Sequence, residues 1–448
     1  MRKYFGTDGV RGVANTELTC DLAYKLGRAG GYVLAQGDHR VKVVVGKDTR
    51  MSGDMLESAL IAGLMSVGCD IIPVGVIPTP AVAYLTRKYN ADCGVVISAS
   101  HNPMEDNGIK FFNKNGYKLD DAIELEIEKY IDDISKVECN PTGEDVGTII
   151  HEHNAQRDYV DYLKSIINLD LTGMKVVLDC ANGAAYEVAP IVFKELGANV
   201  IDINTSPNGK NINDRCGSTH PEMLQKAVVE NKADLGLAYD GDADRLIAVD
   251  ENGNIVDGDH IMILSAVYLK KKNQLSNDTL VITVMTNIGL NVAAKEYGIN
   301  LETTDVGDRY VIEAMKKGNF NLGGEQSGHM IFLDYNTTGD GVLSSLMLSK
   351  IIKEENKSLS ELASIMSVYP QVLVNVEVNN EVKNKFMDVE EIKNEIEKIE
   401  ELMAGCGRVL IRPSGTQPLV RVMLEGKEEG QIKELANNLA NLIKEKLS

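Results

Sequence analysis

Val41-Lys-Val-Val-Val-Gly-Lys-Asp48 is a short run of β-branched residues that stops at a glycine and a charged turn. Branching at Cβ restricts χ1 and suits a pleated strand better than a helix. A helical stretch follows. Gly68-Cys-Asp-Ile-Ile then opens a second strand and Ala91-Asp-Cys-Gly-Val-Val-Ile a third. Strand, helix and strand in that order read as a βαβ unit with largely parallel pairing. The pattern returns twice. Lys175-Val-Val-Leu-Asp-Cys-Ala-Asn-Gly183 leads to Gly197-Ala-Asn-Val-Ile and Ala233-Asp-Leu-Gly-Leu-Ala; Thr279-Leu-Val-Ile-Thr-Val-Met-Thr-Asn287 leads to Gly298-Ile-Asn-Leu-Glu and Phe320-Asn-Leu-Gly-Gly. This repetition predicts three similar mixed α/β domains. Beyond Tyr369-Pro370 the texture changes. An alternating stretch from Val372 to Val378, a charged helical stretch from Val389 to Leu402, a strand from Val420 to Leu424 and an amphipathic helix from about Gly430 to Leu447 predict a smaller C-terminal α/β domain. The expected divisions are 1–155, 156–255, 256–370 and 371–448.

The third strand of each repeat runs into an unusual loop: Ser98-Ala-Ser100-His101-Asn102-Pro103, Asp240-Gly-Asp242-Ala-Asp244-Arg245 and Gly324-Glu325-Gln-Ser327-Gly-His329. Ligands of open α/β sheets gather at the carboxyl ends of strands, so three equivalent strand ends are expected around one central cleft. Ser100 beside His101, with Asn102 and Lys110 close behind, reads either as a nucleophile or as a serine capping a turn before Pro103. Asp240, Asp242 and Asp244 alternate, so in an extended segment they face the same way. Three unpaired carboxylates repel one another, and an all-oxygen set suits Mg²⁺; the alternative is a solvated acidic turn. The calcium-loop pattern is not met, because no glutamate stands at its twelfth position. Glu325 and Ser327 can grip neighbouring sugar hydroxyls, although a plain turn fits that spacing equally well. Arg412-Pro-Ser414-Gly415-Thr416-Gln417-Pro418, with Arg421 beyond, offers two guanidinium groups, two hydroxyls and a glycine backbone for a phosphate. Phe5-Gly-Thr-Asp-Gly-Val-Arg11-Gly12 is neither a dinucleotide fingerprint nor a Walker loop.

Composition narrows the partners. A formal charge of −20 over 448 residues argues against nucleic acid and anionic membrane surfaces, yet a local cluster of cations still admits an anionic small molecule. No apolar run approaches a membrane span, and the N-terminal residues lack a signal-peptide core. Seven cysteines, none in a C-x-x-C pair, read as reduced thiols. A cytoplasmic protein is expected.

Taken in order from residue 5 to residue 421, these strings resemble the α-D-phosphohexomutase family, most of all a bacterial branch acting on glucosamine phosphates. The branch features are Phe5-Gly-Thr-Asp-Gly-Val-Arg-Gly12, Val306-Gly-Asp-Arg-Tyr310 and Gly324-Glu-Gln-Ser-Gly-His329. Gln417 departs from the branch, where many members carry Glu. The resemblance implies four domains around a central cleft. It implies a phosphorylated Ser100, and Mg²⁺ on Asp240, Asp242, Asp244 and a phosphoserine oxygen of Ser100. Arg11, His101, Lys110 and Arg245 would surround the moving phosphoryl group, with Lys110 a candidate for acid–base work. Glu325, Ser327 and His329 would contact the sugar, and Arg412, Ser414, Gly415, Thr416 and Arg421 the non-reacting phosphate. The implied reaction interconverts glucosamine 6-phosphate and glucosamine 1-phosphate through glucosamine 1,6-bisphosphate, in amino-sugar supply for cell-wall precursors. A homodimer is implied on the family's part alone. Three rivals use the same loops: a mutase for glucose or mannose phosphates, a phosphatase or phosphotransferase, and a non-enzymatic sugar-phosphate binder.

Overall fold

In the computed structural model, which describes residues 3–6, 8–34, 39–379, 383–403, 407–413 and 419–447, each repeat builds one mixed sheet. The first contains β1 (Val10–Val13), β2 (Lys42–Lys47), β3 (Asp70–Val76), β4 (Cys93–Ile97) and β5 (Asp106–Asn113), in the order β1-β5-β4-β2-β3. The second contains β6 (Lys175–Asp179), β7 (Asn199–Ile203), β8 (Leu235–Tyr239), β9 (Leu246–Asp250) and β10 (Ile255–Val256), in the order β10-β9-β8-β6-β7. The third contains β11 (Thr279–Thr283), β12 (Asn300–Thr304), β13 (Leu322–Gly324) and β14 (Met330–Phe332), in the order β12-β11-β13-β14.

All three obey one plan. The repeat's first strand sits in the middle, and its second and third strands flank it in parallel. A return strand then pairs antiparallel with the third. The sheets are therefore less parallel than βαβ repetition alone predicts. The reason is the short link after each third strand, which turns the chain straight back on itself, whereas a parallel neighbour needs a long crossover. Each of those links is one of the three chemistry-bearing loops.

The middle strands are buried on both faces, which explains their unbroken valine and isoleucine runs. In the first repeat the helices Cys20–Leu34 and Gly53–Met65 pack so closely that a Cβ on Gly63 would lie 2.1 Å from the carbonyl oxygen of Tyr24. Gly63→Ala is therefore expected to cost roughly 1–3 kcal/mol by overpacking, read as a lower urea midpoint. An unchanged midpoint would mean that the two helices are free to move apart.

The fourth sheet is antiparallel: β15 (Gln371–Glu377), β16 (Gly407–Pro413) and β17 (Leu419–Gly426) stand in the order β15-β17-β16. Its core joins Val420, Val422 and Leu424 to apolar positions of the helices Glu390–Met403 and Glu429–Leu447. The chain forms two compact units, residues 1–285 with 298–365 and residues 286–297 with 366–448. The first holds the three repeat sheets; the second holds the fourth sheet and the helix Ile288–Glu296. Among the described residues, no helix is long and apolar enough to cross a membrane.

Candidate active site

The loop after β4 carries Ser100 in a left-handed backbone conformation, φ +53°. A non-glycine residue holds that conformation only when its surroundings impose it. Here the Ser100 N–H donates to Ser98 Oγ at 3.0 Å, and Ser98 Oγ donates to Asp48 Oδ2 at 2.5 Å. Ser100 Oγ in turn donates to Asp240 Oδ2 at 2.6 Å and lies 3.2 Å from His101 Nδ1. The expected meeting of the serine loop with the aspartate loop is thus present.

Asp240, Asp242 and Asp244 are all buried, and one oxygen of each lies within 4.8 Å of the others. Asp242 Oδ2 accepts from Thr79 Oγ1 at 2.7 Å and from Lys110 Nζ at 2.8 Å. Asp240 Oδ1 accepts from the Arg245 N–H at 3.2 Å, whereas Asp242 Oδ1 and Asp244 Oδ1 are buried without a hydrogen-bond partner among the described residues. A buried unsatisfied carboxylate oxygen is costly, so this donor set fits a hard divalent cation. Burial, followed by the charges of Asp244 and Asp242, pushes the Asp240 carboxyl well above its ordinary range. Burial also pushes Asp244 up, but His329, Lys110 and Arg245 outweigh it and hold Asp244 low.

The cations divide by role. Burial disfavours the charge on Lys110, but Asp242 and Asp8 outweigh it and keep the ammonium. Lys110 is therefore a proton donor or charge stabiliser at neutral pH rather than a ready base. His101 is lowered to about 4, first by burial and then by Arg245 and Arg11, so it is neutral at pH 7. NMR titration of its ring is expected to show that low midpoint; one near 6.5 would contradict the burial argument. Burial works against charge on His329 too, yet Asp244, Asp308 and Glu325 raise it to about 9. Gly339 N–H donates to its Nε2 at 3.1 Å, a contact that needs the neutral ring. A cation on Asp244 would tip the balance toward that neutral form.

A cavity of about 550 Å³ opens over these groups, lined by Arg11, Ser100, Asp244, Arg245, Glu325 and His329 among others. Glu325 Oε1 accepts from the N–H of Gly307, the residue that caps the helix Asp308–Gly318. Ser327 is exposed, outside that lining. In the second unit Arg412 and Arg421 are directly opposite in the β16–β17 register, which puts both guanidinium groups on one face of the sheet. Ser414, Gly415 and Thr416 lie outside the described residues.

Several residues at the site carry no local sequence signal. Lys118 Nζ pairs with Asp308 Oδ2 at 2.6 Å and with Asp8, and Asp8 Oδ2 also meets Lys110 at 3.1 Å and Arg11. Burial would raise the Asp8 carboxyl, but Lys110, Lys118 and Arg11 hold it well below its ordinary value. This alternating chain ties the N-terminal loop to the third repeat. Arg50, which donates to the Ser100 and Asn102 carbonyls, does carry a positional signal, since it follows the carboxyl end of β2, where chemistry collects.

Family models match in chain order. The phosphoglucomutase/phosphomannomutase alpha/beta/alpha domains I, II and III match residues 2–138, 157–253 and 257–369, and the family's C-terminal domain matches residues 373–442. The chain belongs to the phosphoglucomutase/phosphomannomutase family, within the α-D-phosphohexomutase superfamily. A crystal structure of a protein of that family from Burkholderia thailandensis superposes with a TM-score of 0.83 at 25% identity, covering 100% of this chain and 99% of that one. Curated relatives include phosphoglucosamine mutases: that of Clostridioides difficile (strain 630) is 79% identical and that of Thermoanaerobacter sp. (strain X514) 62%, each over the full length of both chains. The chain is accordingly an isomerase.

Proposed function

We propose that this enzyme interconverts glucosamine 6-phosphate and glucosamine 1-phosphate through a phosphoryl group carried on Ser100. The observation that carries the reading is Ser100 Oγ, held 2.6 Å from Asp240 on the floor of a cleft lined by Arg11 and Arg245. In each half-reaction a sugar hydroxyl oxygen bonds to phosphorus as the P–Oγ bond of phospho-Ser100 breaks. The hydroxyl proton is finally accounted for on Ser100 Oγ, where it makes the bond to Asp240 described above. The resulting 1,6-bisphosphate turns in the cleft and returns its other phosphate to Ser100. Such transfer depends on positioning and on charge stabilisation more than on covalent help from other groups.

Asp240, Asp242, Asp244 and an oxygen of phospho-Ser100 would hold Mg²⁺. When bound, the cation supplies charge neutralisation for the phosphoryl oxygens. Arg245 and Arg11 flank the same oxygens, and Lys110 offers a proton or a charge beside them. Glu325 and His329, which line the cleft, would face the sugar together with Ser327 of the same loop. Arg412, Ser414, Gly415, Thr416 and Arg421 would take the phosphate that is not reacting. Four domains divided near residues 155, 255 and 370 would carry these parts. A cytoplasmic homodimer supplying amino-sugar phosphate for cell-wall precursors completes the reading.

The test compares kcat/KM for glucosamine 1-phosphate, glucose 1-phosphate and mannose 1-phosphate, with Mg²⁺ and a trace of sugar 1,6-bisphosphate. A strong preference for the amino sugar is expected. Equal turnover of glucose or mannose phosphates would keep the chemistry and overturn the substrate, and release of inorganic phosphate alone would overturn both.

A further inference from the structure

The serine loop is gripped from behind as well as in front. Asn213 lies on the segment between β7 and the helix Glu222–Asn231, in the second repeat. Its side-chain amide donates one hydrogen to the Ser100 carbonyl at 2.9 Å and the other to the Asn102 carbonyl at 3.1 Å. Arg50, from the first repeat, aims Nη2 at the same two oxygens, at 3.2 and 2.5 Å. Arg50 is itself held by an ion pair with buried Asp48, the carboxylate that also receives Ser98 Oγ. Asn213 has its own anchor, a backbone bond from its N–H to Ala181 O at 2.9 Å.

The second repeat therefore holds Ser100 at both ends: Asp240 takes the hydroxyl and Asn213 takes the carbonyl. The packing leaves no slack. A Cβ on Gly241, next to Asp240, would lie 2.5 Å from Ser100 O and 2.8 Å from Asn213 Nδ2. Left-handed Ser100 needs this kind of outside support. A left-handed turn that relaxed toward an ordinary conformation would swing Oγ away from Asp240.

We propose that Asn213 is a positioning residue for phosphoryl transfer: together with Arg50 it locks the left-handed Ser100 turn and so fixes where the phosphoryl group sits over the aspartate loop. The inference rests on the Ser100 relay proposed above. Asn213 touches neither the hydroxyl oxygen nor the sugar cavity, so its removal should slow transfer without weakening substrate binding.

The test loads wild type, Asn213→Ala and Asn213→Asp with label at Ser100 from glucose 1,6-bisphosphate. Each is then mixed rapidly with saturating glucosamine 6-phosphate. The rate constant for loss of label from the protein is recorded, and sugar-phosphate affinity is measured separately. Unfolded molecules lower the amplitude and leave the rate constant alone, so a merely structural role would not move the reading. The rate constant is expected to fall about 10- to 100-fold in Asn213→Ala, the scale for a misplaced reacting group. It should fall further in Asn213→Asp, whose carboxylate faces two carbonyl oxygens, with affinity changed by less than about threefold. The isosteric aspartate variant decides the matter if the alanine variant does not fold. Rate constants within twofold of a competent wild type, or a loss confined to sugar affinity, would overturn the inference. A wild type that hands over no label would sink the relay and this inference with it.

Discussion

Ser100→Ala is expected to lower mutase turnover by about 10⁴-fold or more, with the thermal midpoint nearly unchanged. The chemical loss is large because no neighbour can substitute as acceptor and donor of the phosphoryl group. His101 is neutral, but its Nδ1 stands beside Oγ and not in its place. The structural loss is small because the missing hydroxyl leaves Asp240 without one donor and leaves no cavity of consequence. Asp240 is pushed toward its protonated form by burial and by its two aspartate neighbours, so it is not stranded as a bare buried charge. Retention of near-normal turnover by this variant would remove the nucleophile from the account. A variant that failed to fold would show that Ser98, Asp48 and Arg50 cannot hold the turn without the serine hydroxyl.

Asp240→Asn should have the next largest effect, and with opposite signs in two assays. Asparagine keeps a carbonyl oxygen for Ser100 Oγ but removes one of three crowded carboxylates. In the metal-free protein Asp240 has a folded-state pKa above its unfolded one. Such an acid binds its proton more tightly when folded, so the wild type loses stability as pH rises above the unfolded value of about 4. The variant lacks that loss, and near pH 7 its metal-free midpoint should match or exceed wild type. Added Mg²⁺ should raise the wild-type midpoint and leave the variant's nearly still. Activity should fall about 10²- to 10³-fold, the scale for losing a preorganised electrostatic partner of the reaction. Equal Mg²⁺ stabilisation of both proteins would show that the cation does not sit on this triplet.

The sequence disclosed these two positions for a local reason. Three aspartates within five residues announced a shared cation, although the loop that gathers them is a turn, with the Ala243 N–H bonded to Asp240 O at 3.0 Å and Ala243 at φ +57°, and not the extended segment that alternation suggests; repetition put Ser100 at the equivalent strand end one domain earlier. Both signals act over a few residues or over a whole repeat, and both are visible in a one-dimensional string. The supporting residues have no such signal. Asn213 is 113 positions from Ser100, and Lys118 is 110 from Asp8. Their partners are chosen by how the sheets pack, and an isolated asparagine or lysine in a loop predicts nothing about that choice. The pairing direction within each sheet was half legible for a related reason. Helical crossovers announce parallel strands, but the return strands β5, β9 and β14 follow short polar loops whose composition points to chemistry while only their length points to an antiparallel return. Spacing was also an incomplete guide within the sugar loop. Glu325 reaches the cavity and meets Gly307, while Ser327, two residues on, is exposed. The loop is a turn closed by the Gly328 N–H on Glu325 O at 3.0 Å, with Gly328 at φ +91°, so the alternation of an extended strand does not hold there.

The most direct test of the account follows the phosphoryl group itself. Enzyme labelled at Ser100 is mixed with an excess of unlabelled glucosamine 6-phosphate and Mg²⁺ and quenched after about one turnover. The account predicts that the label leaves the protein and appears in hexosamine phosphate, while Ser100 ends up carrying unlabelled phosphate taken from the substrate. Label that stays on the protein while isomer accumulates, or that emerges as inorganic phosphate, would contradict it.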